Sequence, residues 1–245
     1  MKTTNLPFIH LTRPFLLCGL LMMITAGATA TDDEFPHAYP RSGVKALFEN
    51  DRVFAWDVTW LRDVEQPYHR HRYDMAAVYL RFGPIRVTQL DGSYNPPGPP
   101  FAVPRPFFQG KGVTHKEEMI GFADAAPERW AIMFDLKDAS AKPLSPPTGL
   151  APAFPREGAE LAIDNERVLE WVHGWETGKP LPAHMYTRDA VQVFYEPGTL
   201  SFTDAAGNTQ TESFEIGDAR FVPAGTIAIE AAVSGSPKAV TIELK

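Results

Sequence analysis

Two histidines one residue apart, His69 and His71, stand in the run Pro67-Tyr68-His69-Arg70-His71-Arg72-Tyr73-Asp74. It leads into Met75-Ala76-Ala77-Val78-Tyr79-Leu80 and ends near Gly83. The segment is rich in aromatic residues and reads as a strand, and alternate side chains of a strand share a face, so both imidazoles point the same way. A strand presents two nitrogen ligands to one divalent metal in this geometry. Arg70 and Arg72 fall on the opposite face and read as solvated or ion-paired charges. The stretch Pro182-Ala183-His184-Met185-Tyr186-Thr187-Arg188-Asp189 repeats the pattern 115 residues later, with Tyr186 where the second histidine would stand.

The elements that position these side chains are duplicated. Adding 115 to the residue number, without a gap, pairs Asn50 with Asn165, Arg52 with Arg167, Val53 with Val168, Trp56 with Trp171 and Trp60 with Trp175. The match continues through Pro67, His69, Asp74, Val78, Gly83, Thr88 and Gly92, giving twelve identities in 43 positions. The two halves also end alike, Ala131–Lys137 resembling Ala239–Lys245. Such self-similarity predicts two copies of one unit. From Val44 onward, segments rich in Val, Ile, Phe, Tyr and Trp alternate with Gly, Pro and Asp breaks, which predicts short strands of a sandwich or barrel. The best stretch with helical period is Glu157 to Trp171, expected to make one turn or two. Tryptophans four apart share a strand face, so Trp56, Trp60, Trp171 and Trp175 read as core or as packing between the copies. The predicted organisation is a signal peptide over 1–30, an N-terminal arm over 31–43, a first domain over 44–138, a proline-rich linker over 139–157 and a second domain over 158–245. The first copy carries an insertion, Asn95-Pro96-Pro97-Gly98-Pro99-Pro100, whose stiffness suits a rim over the interior.

The first thirty residues carry Lys2 and Arg13 and no acid, then an apolar run from Phe15 to Ile24, then Ala28-Thr29-Ala30. This three-part pattern predicts export with cleavage, hence a periplasmic or secreted protein with no membrane attachment once the signal is removed. The apolar run is shorter than a membrane span requires. Cys18 is the only cysteine, so the mature chain has no disulfide, thiol nucleophile or thiolate ligand. Losing Lys2 and Arg13 takes the net charge from −7 to −9, and an acidic chain without basic clusters argues against nucleic acid as a partner.

A repeated all-β unit of about 90 residues with His-x-His at a strand start and Gly83 twelve residues on resembles the cupin family. In the family's second motif the histidine is matched by His115, within Gly112-Val113-Thr114-His115-Lys116-Glu117-Glu118. The glutamate that the family's first motif places three to four residues after the second histidine is replaced by Met75 or Ala76, and the upstream proline of the second motif is absent. The resemblance covers nearly the whole mature chain and implies a bicupin, an all-β protein of two tandem jelly-roll β-barrels with inward-facing histidines. It implies His69, His71 and His115 as metal ligands, and three imidazoles accept Fe, Mn, Ni, Cu or Zn alike. Glu117 shares the face of His115 and is a candidate fourth ligand or general base. Asp74, the nearest carboxylate to the histidine pair, is a second candidate base or ligand; strand parity turns it away unless a bulge intervenes, and its counterpart Asp189 favours a structural role such as bonding backbone or Arg52. In the second copy Ala228 aligns with His115, leaving His184 with Glu230, so that copy is expected to have lost metal binding. Two functions stay open: a metal-dependent oxygenase or isomerase of a small organic molecule, and a non-catalytic bicupin that binds a small-molecule ligand or a partner. Cupins also pair through sheet edges, which allows a homodimer.

Overall fold

The computed structural model describes residues 34–120 and 127–245; the expected signal peptide lies outside them. Residues 44–136 form nine strands: β1 (Val44–Glu49), β2 (Val53–Trp60), β3 (His69–Arg70), β4 (Asp74–Arg81), β5 (Ile85–Gln89), β6 (Tyr94–Asn95), β7 (Arg105–Gln109), β8 (Thr114–Met119) and β9 (Arg129–Leu136). They make two sheets, ordered β1-β2-β9-β4-β7 and β3-β8-β5-β6. The second half adds β10 (Ala151–Pro152), β11 (Glu160–Asp164), β12 (Val168–Gly174), β13 (His184–Met185), β14 (Ala190–Thr203), β15 (Thr209–Phe214), β16 (Ala219–Val222) and β17 (Ile227–Leu244). There β17 pairs with β12, β13 and β14, and β14 also pairs with β15 and β16. The result is an all-β chain of two tandem jelly-roll barrels, with no helix among the described residues.

The expected helical turns between Glu157 and Trp171 are instead the β11–β12 hairpin. Its corner is set by Asn165, whose Oδ1 accepts the backbone N–H groups of Arg167 (2.8 Å) and Val168 (2.9 Å). Asn50 turns β1 into β2 in the same way, accepting from Arg52 and Val53. An Asn side chain that captures the backbone two and three residues on competes with helix formation and favours a turn, which outweighs the weak helical period there.

The segments before each first hairpin belong to the barrels. His37 bridges to Arg70 in parallel, and β10 pairs in parallel with β13. Ala38 is buried in the first barrel, and Ala153 and Phe154 are buried in the second. The stretch read as a linker therefore runs into the second barrel at its end.

Strands β2, β4 and β9 are buried on both faces. Trp56, Val58, Trp60, Met75, Ala77, Tyr79 and Met133 fill the first barrel. On the other face Val53, Ala55, Ala76, Val78, Ile132, Phe134 and Leu136 join Val168, Val191, Val193, Val240, Ile242 and Leu244 in one cluster between the barrels. Each such side chain withdrawn from water contributes about 1.5–3 kcal/mol, so this shared layer is a principal source of stability. Reciprocal ion pairs flank it: Arg52 Nη1 donates to Asp189 Oδ2 and Arg167 Nη1 to Asp74 Oδ2, both at 2.7 Å. Glu170 is also fully buried, on the strand face that Val168 presents to the first barrel, and neither carboxyl oxygen accepts a well-formed hydrogen bond.

Candidate metal centre

His69 lies on β3, and His115 sits directly opposite it on β8. His71 follows β3 in extended backbone, its N–H bonded to Val113 O (2.9 Å) and its carbonyl accepting from Gly112 N (2.7 Å). Alternation along this segment turns both histidines of the pair inward, toward the one across the ladder. The three ring centroids form a nearly equilateral triangle with sides of 5.2, 4.9 and 5.1 Å. One nitrogen from each ring lies within 4.8 Å of the others, and all three residues are buried.

Their protonation suits ligation. His69 Nδ1 lies 3.0 Å from Pro67 O, a pure acceptor, so Nδ1 carries the proton and Nε2 keeps its lone pair. That Nε2 is buried without a partner, as is His71 Nδ1, while the Nε2 atoms of His71 and His115 face each other at 3.4 Å. Burial pushes the His69 pKa down to about 4, and burial together with the other two imidazoles takes His71 to about 3. Three imidazoles converging on one point, with His69 Nε2 and His71 Nδ1 buried and unsatisfied by anything in the protein, fit a divalent cation.

Glu117, two residues along β8, is placed beside this triad. Its Oε1 is 3.5 Å from His115 Nε2. Its Oε2 accepts from Arg41 Nη1 (2.7 Å) and Trp60 Nε1 (2.8 Å). Burial alone would raise its pKa, but Arg41 and His115, with His69, outweigh that and hold the carboxyl well below its usual range. The carboxylate is thus charged, tied on one oxygen, and presents the other toward the imidazoles. His71, His115 and Glu117 line a cavity of about 520 Å³, walled by apolar side chains including Met75, Ile85 and Phe107. The inserted Asn95–Pro100 loop lines the same cavity.

Asp74 is not brought to the triad. Its Oδ1 accepts Lys111 N (2.9 Å) and its Oδ2 accepts Arg167 across the boundary between the barrels, so its role is structural and its cation comes from the other half rather than from Arg52. An Asp74→Asn variant should unfold about 1–2 kcal/mol more easily and hold as much metal as wild type, read by urea unfolding and elemental analysis of one preparation.

The corresponding centre of the second barrel is filled by its own side chains. His184 pairs in register with Ala228, as His69 does with His115. Tyr186 takes the place of His71 and donates its hydroxyl to Glu230 Oε1 (2.8 Å). Glu230 Oε2 accepts from Trp175 Nε1 (2.9 Å) and Arg156 Nη1 (3.3 Å), matching the Trp60 and Arg41 contacts of Glu117. Arg220 Nη2 stands 3.7 Å from Glu230, and His184 Nε2 is buried without a hydrogen bond.

Sequence reasoning missed Arg41, left in the N-terminal arm, and took Trp60 for packing alone. A signal for Arg41 was present: Ala38, Pro40 and Arg41 recur as Ala153, Pro155 and Arg156 at the same spacing of 115, ahead of the first pair noted. Arg129 had no comparable signal in the repeat; alternation along β9 puts it on the face of Ala131 and Met133, and the folded barrel turns that face to the cavity.

No family model matches the sequence, and no curated protein matches it. Among solved structures the chain is similar to AerE from Microcystis aeruginosa, with 12% identity, 86% of this chain and 98% of that chain covered, and a TM-score of 0.59. It is similar also to the oxalate decarboxylase of Bacillus subtilis, with 12% identity, 80% of this chain and 69% of that chain covered, and a TM-score of 0.51. A cupin 2 conserved barrel domain protein from Leptotrichia buccalis shares 10% identity over 82% of this chain and 88% of that one, with a TM-score of 0.48. At these identities the likeness is one of fold, and the fold joins two jelly-roll barrels, one of them with three inward histidines. That fold is the one it shares with AerE and with the oxalate decarboxylase.

Proposed function

We propose that the chain is an exported, internally duplicated bicupin whose first barrel binds a divalent metal through His69, His71 and His115 and acts on a small organic molecule by oxygenation or isomerisation. The observation that carries this reading is the triangle of buried imidazoles, with unsatisfied nitrogens, beside a cavity large enough for a small ligand. A divalent ion held there would supply a Lewis acid or an oxygen-activating centre. The chain's own residues do the rest. Pro67 fixes the His69 tautomer, and Arg41 and Trp60 orient Glu117 so that Oε1 is the oxygen able to ligate or to take a proton. The second barrel, with Ala228 and Tyr186 at two of the three positions, keeps the fold and binds no metal in this reading.

A non-catalytic, ligand-binding bicupin is the second reading. Glu117 favours it, since a carboxylate held charged by Arg41 is a weak base, and it is the only carboxylate among the residues lining the cavity. Metal analysis of the mature protein after expression with Mn, Fe, Ni, Cu or Zn tests the site itself. The Mn(II) centres of the oxalate decarboxylase similar to this chain make manganese the first ion to supply. One equivalent per chain is expected, and protein free of metal under every condition would end the enzyme reading.

A further inference from the structure

The cavity has a charge opposite in sign to that of the chain. The whole sequence carries −7, yet the ionised side chains lining this cavity are Arg41, Arg105 and Arg129 against Glu117 alone. Glu117 is already engaged by Arg41 and Trp60. Among the described residues neither Arg105 nor Arg129 has a carboxylate partner. Arg129 Nε is buried without a hydrogen-bond acceptor, and so is Gln109 Nε2 in the same cavity.

The setting of Arg129 says what is missing. Its guanidinium carbon lies 4.9 Å from the Tyr79 ring centroid, 5.1 Å from Phe101, 5.7 Å from Phe82 and 5.9 Å from Trp60. Aromatic faces stabilise a cation but accept no in-plane hydrogen bonds, so they leave the buried Nε–H of the guanidinium fork without an acceptor. A fork of that shape matches a carboxylate, which accepts two parallel hydrogen bonds and returns the charge that burial makes costly. The remaining walls, Met75, Ile85, Val87, Phe107 and Met133, offer an apolar body nothing but van der Waals contact.

We propose that Arg129, assisted by Gln109 and with Arg105 in the same cavity, binds the carboxylate of an organic acid whose apolar body lies along these walls. The proposal shares its cavity with the metal-dependent reading above, but anion recognition itself does not require the metal.

Isothermal titration calorimetry of the full mature chain with 3-phenylpropanoate and 3-phenylpropanamide, in chelator-stripped and Mn²⁺-supplied protein, tests it. The acid should bind at least about 10-fold more tightly than the amide in both preparations, since a hydrogen bond to a charged group separates them. Arg129→Gln should weaken the acid by about 10- to 100-fold and leave the amide unchanged, with Arg129→Lys in between. If Arg129→Gln fails to fold by circular dichroism, the acid-over-amide preference of wild type and the Arg129→Lys result decide. Equal affinity for acid and amide, no saturable binding of either, or an acid affinity indifferent to both Arg129 variants would overturn the proposal. Acid preference that appears only with Mn²⁺ would assign the carboxylate to the metal and overturn it as well. Acid preference that depends on Arg129 in protein unable to hold any metal would sustain it while removing the metal-dependent reading.

Discussion

A His115→Ala variant should lose its divalent metal almost completely while retaining a cooperative unfolding transition, and His184→Ala should keep the wild-type metal content. His115 supplies one of three convergent nitrogens, and a site reduced to His69 and His71 holds a transition metal weakly enough that a desalting step strips it. We expect occupancy to fall from about one equivalent to below roughly 0.1, a loss of at least 10²-fold in affinity, since even removal of outer-shell partners costs 10- to 100-fold. The fold should survive because the hydrophobic layers of both barrels are independent of His115, and Ala228 already occupies the matching register in the second barrel. The His184 arm separates the two barrels: its Nε2 is as buried and unpartnered as that of His69, but Tyr186 and Ala228 offer no second nitrogen beside it. Equal metal loss in both variants, measured by plasma mass spectrometry, would place a ligand in the second barrel.

The second large effect concerns stability against pH. Glu170 lies on the face of β12 that Val168 presents to the first barrel, where Ala55 occupies the position 115 residues earlier. Burial pushes its pKa up to about 9 from an ordinary 4.5, opposed only by the backbone N–H of Phe107. The folded chain therefore keeps a proton that the unfolded chain releases between those two values. Stability from this group is fully present below about pH 4.5 and is lost as pH rises toward 9, at up to ~1.4 kcal/mol per pH unit. Urea unfolding across this range should show that fall. Glu170→Gln, neutral at every pH and close in size, should flatten it and be the more stable protein at pH 8 by a few kcal/mol. Parallel pH profiles of the two proteins would show that Glu170 is not protonated in the folded chain.

The fold could be anticipated because its signals are local and repeated. Alternating β-branched and aromatic runs set the strands, and the recurrence of Trp56, Trp60, His69 and Asp74 as Trp171, Trp175, His184 and Asp189 exposed two similar units. Strand parity was sufficient to aim His69 and His71 inward. It was sufficient, too, to turn Asp74 away from them. The local signal failed at Glu157–Trp171, where a weak helical period was overridden by the Asn165 turn and by pairing of β12 with β17.

Residue types and spacing, by themselves, determined the all-β class, the shared face of His69 and His71 and the loss of the second histidine at Tyr186, because each depends on which face of one strand a side chain occupies, whereas His115 was reached through the resemblance to the cupin family. Only the tertiary structure decided what those ligands face. Arg41 from the arm, Trp60 from β2 and Glu117 from β8 meet at one carboxylate although up to 76 residues separate them. Asp74 finds Arg167 rather than Arg52 because the barrels pack through β2, β4 and β9, which sets the ends of one half against the other. The basic cavity within an acidic chain arises in the same way. Charge counted along a sequence is blind to which few side chains the closure of a barrel gathers around one space, and there it gathers three arginines and a single glutamate.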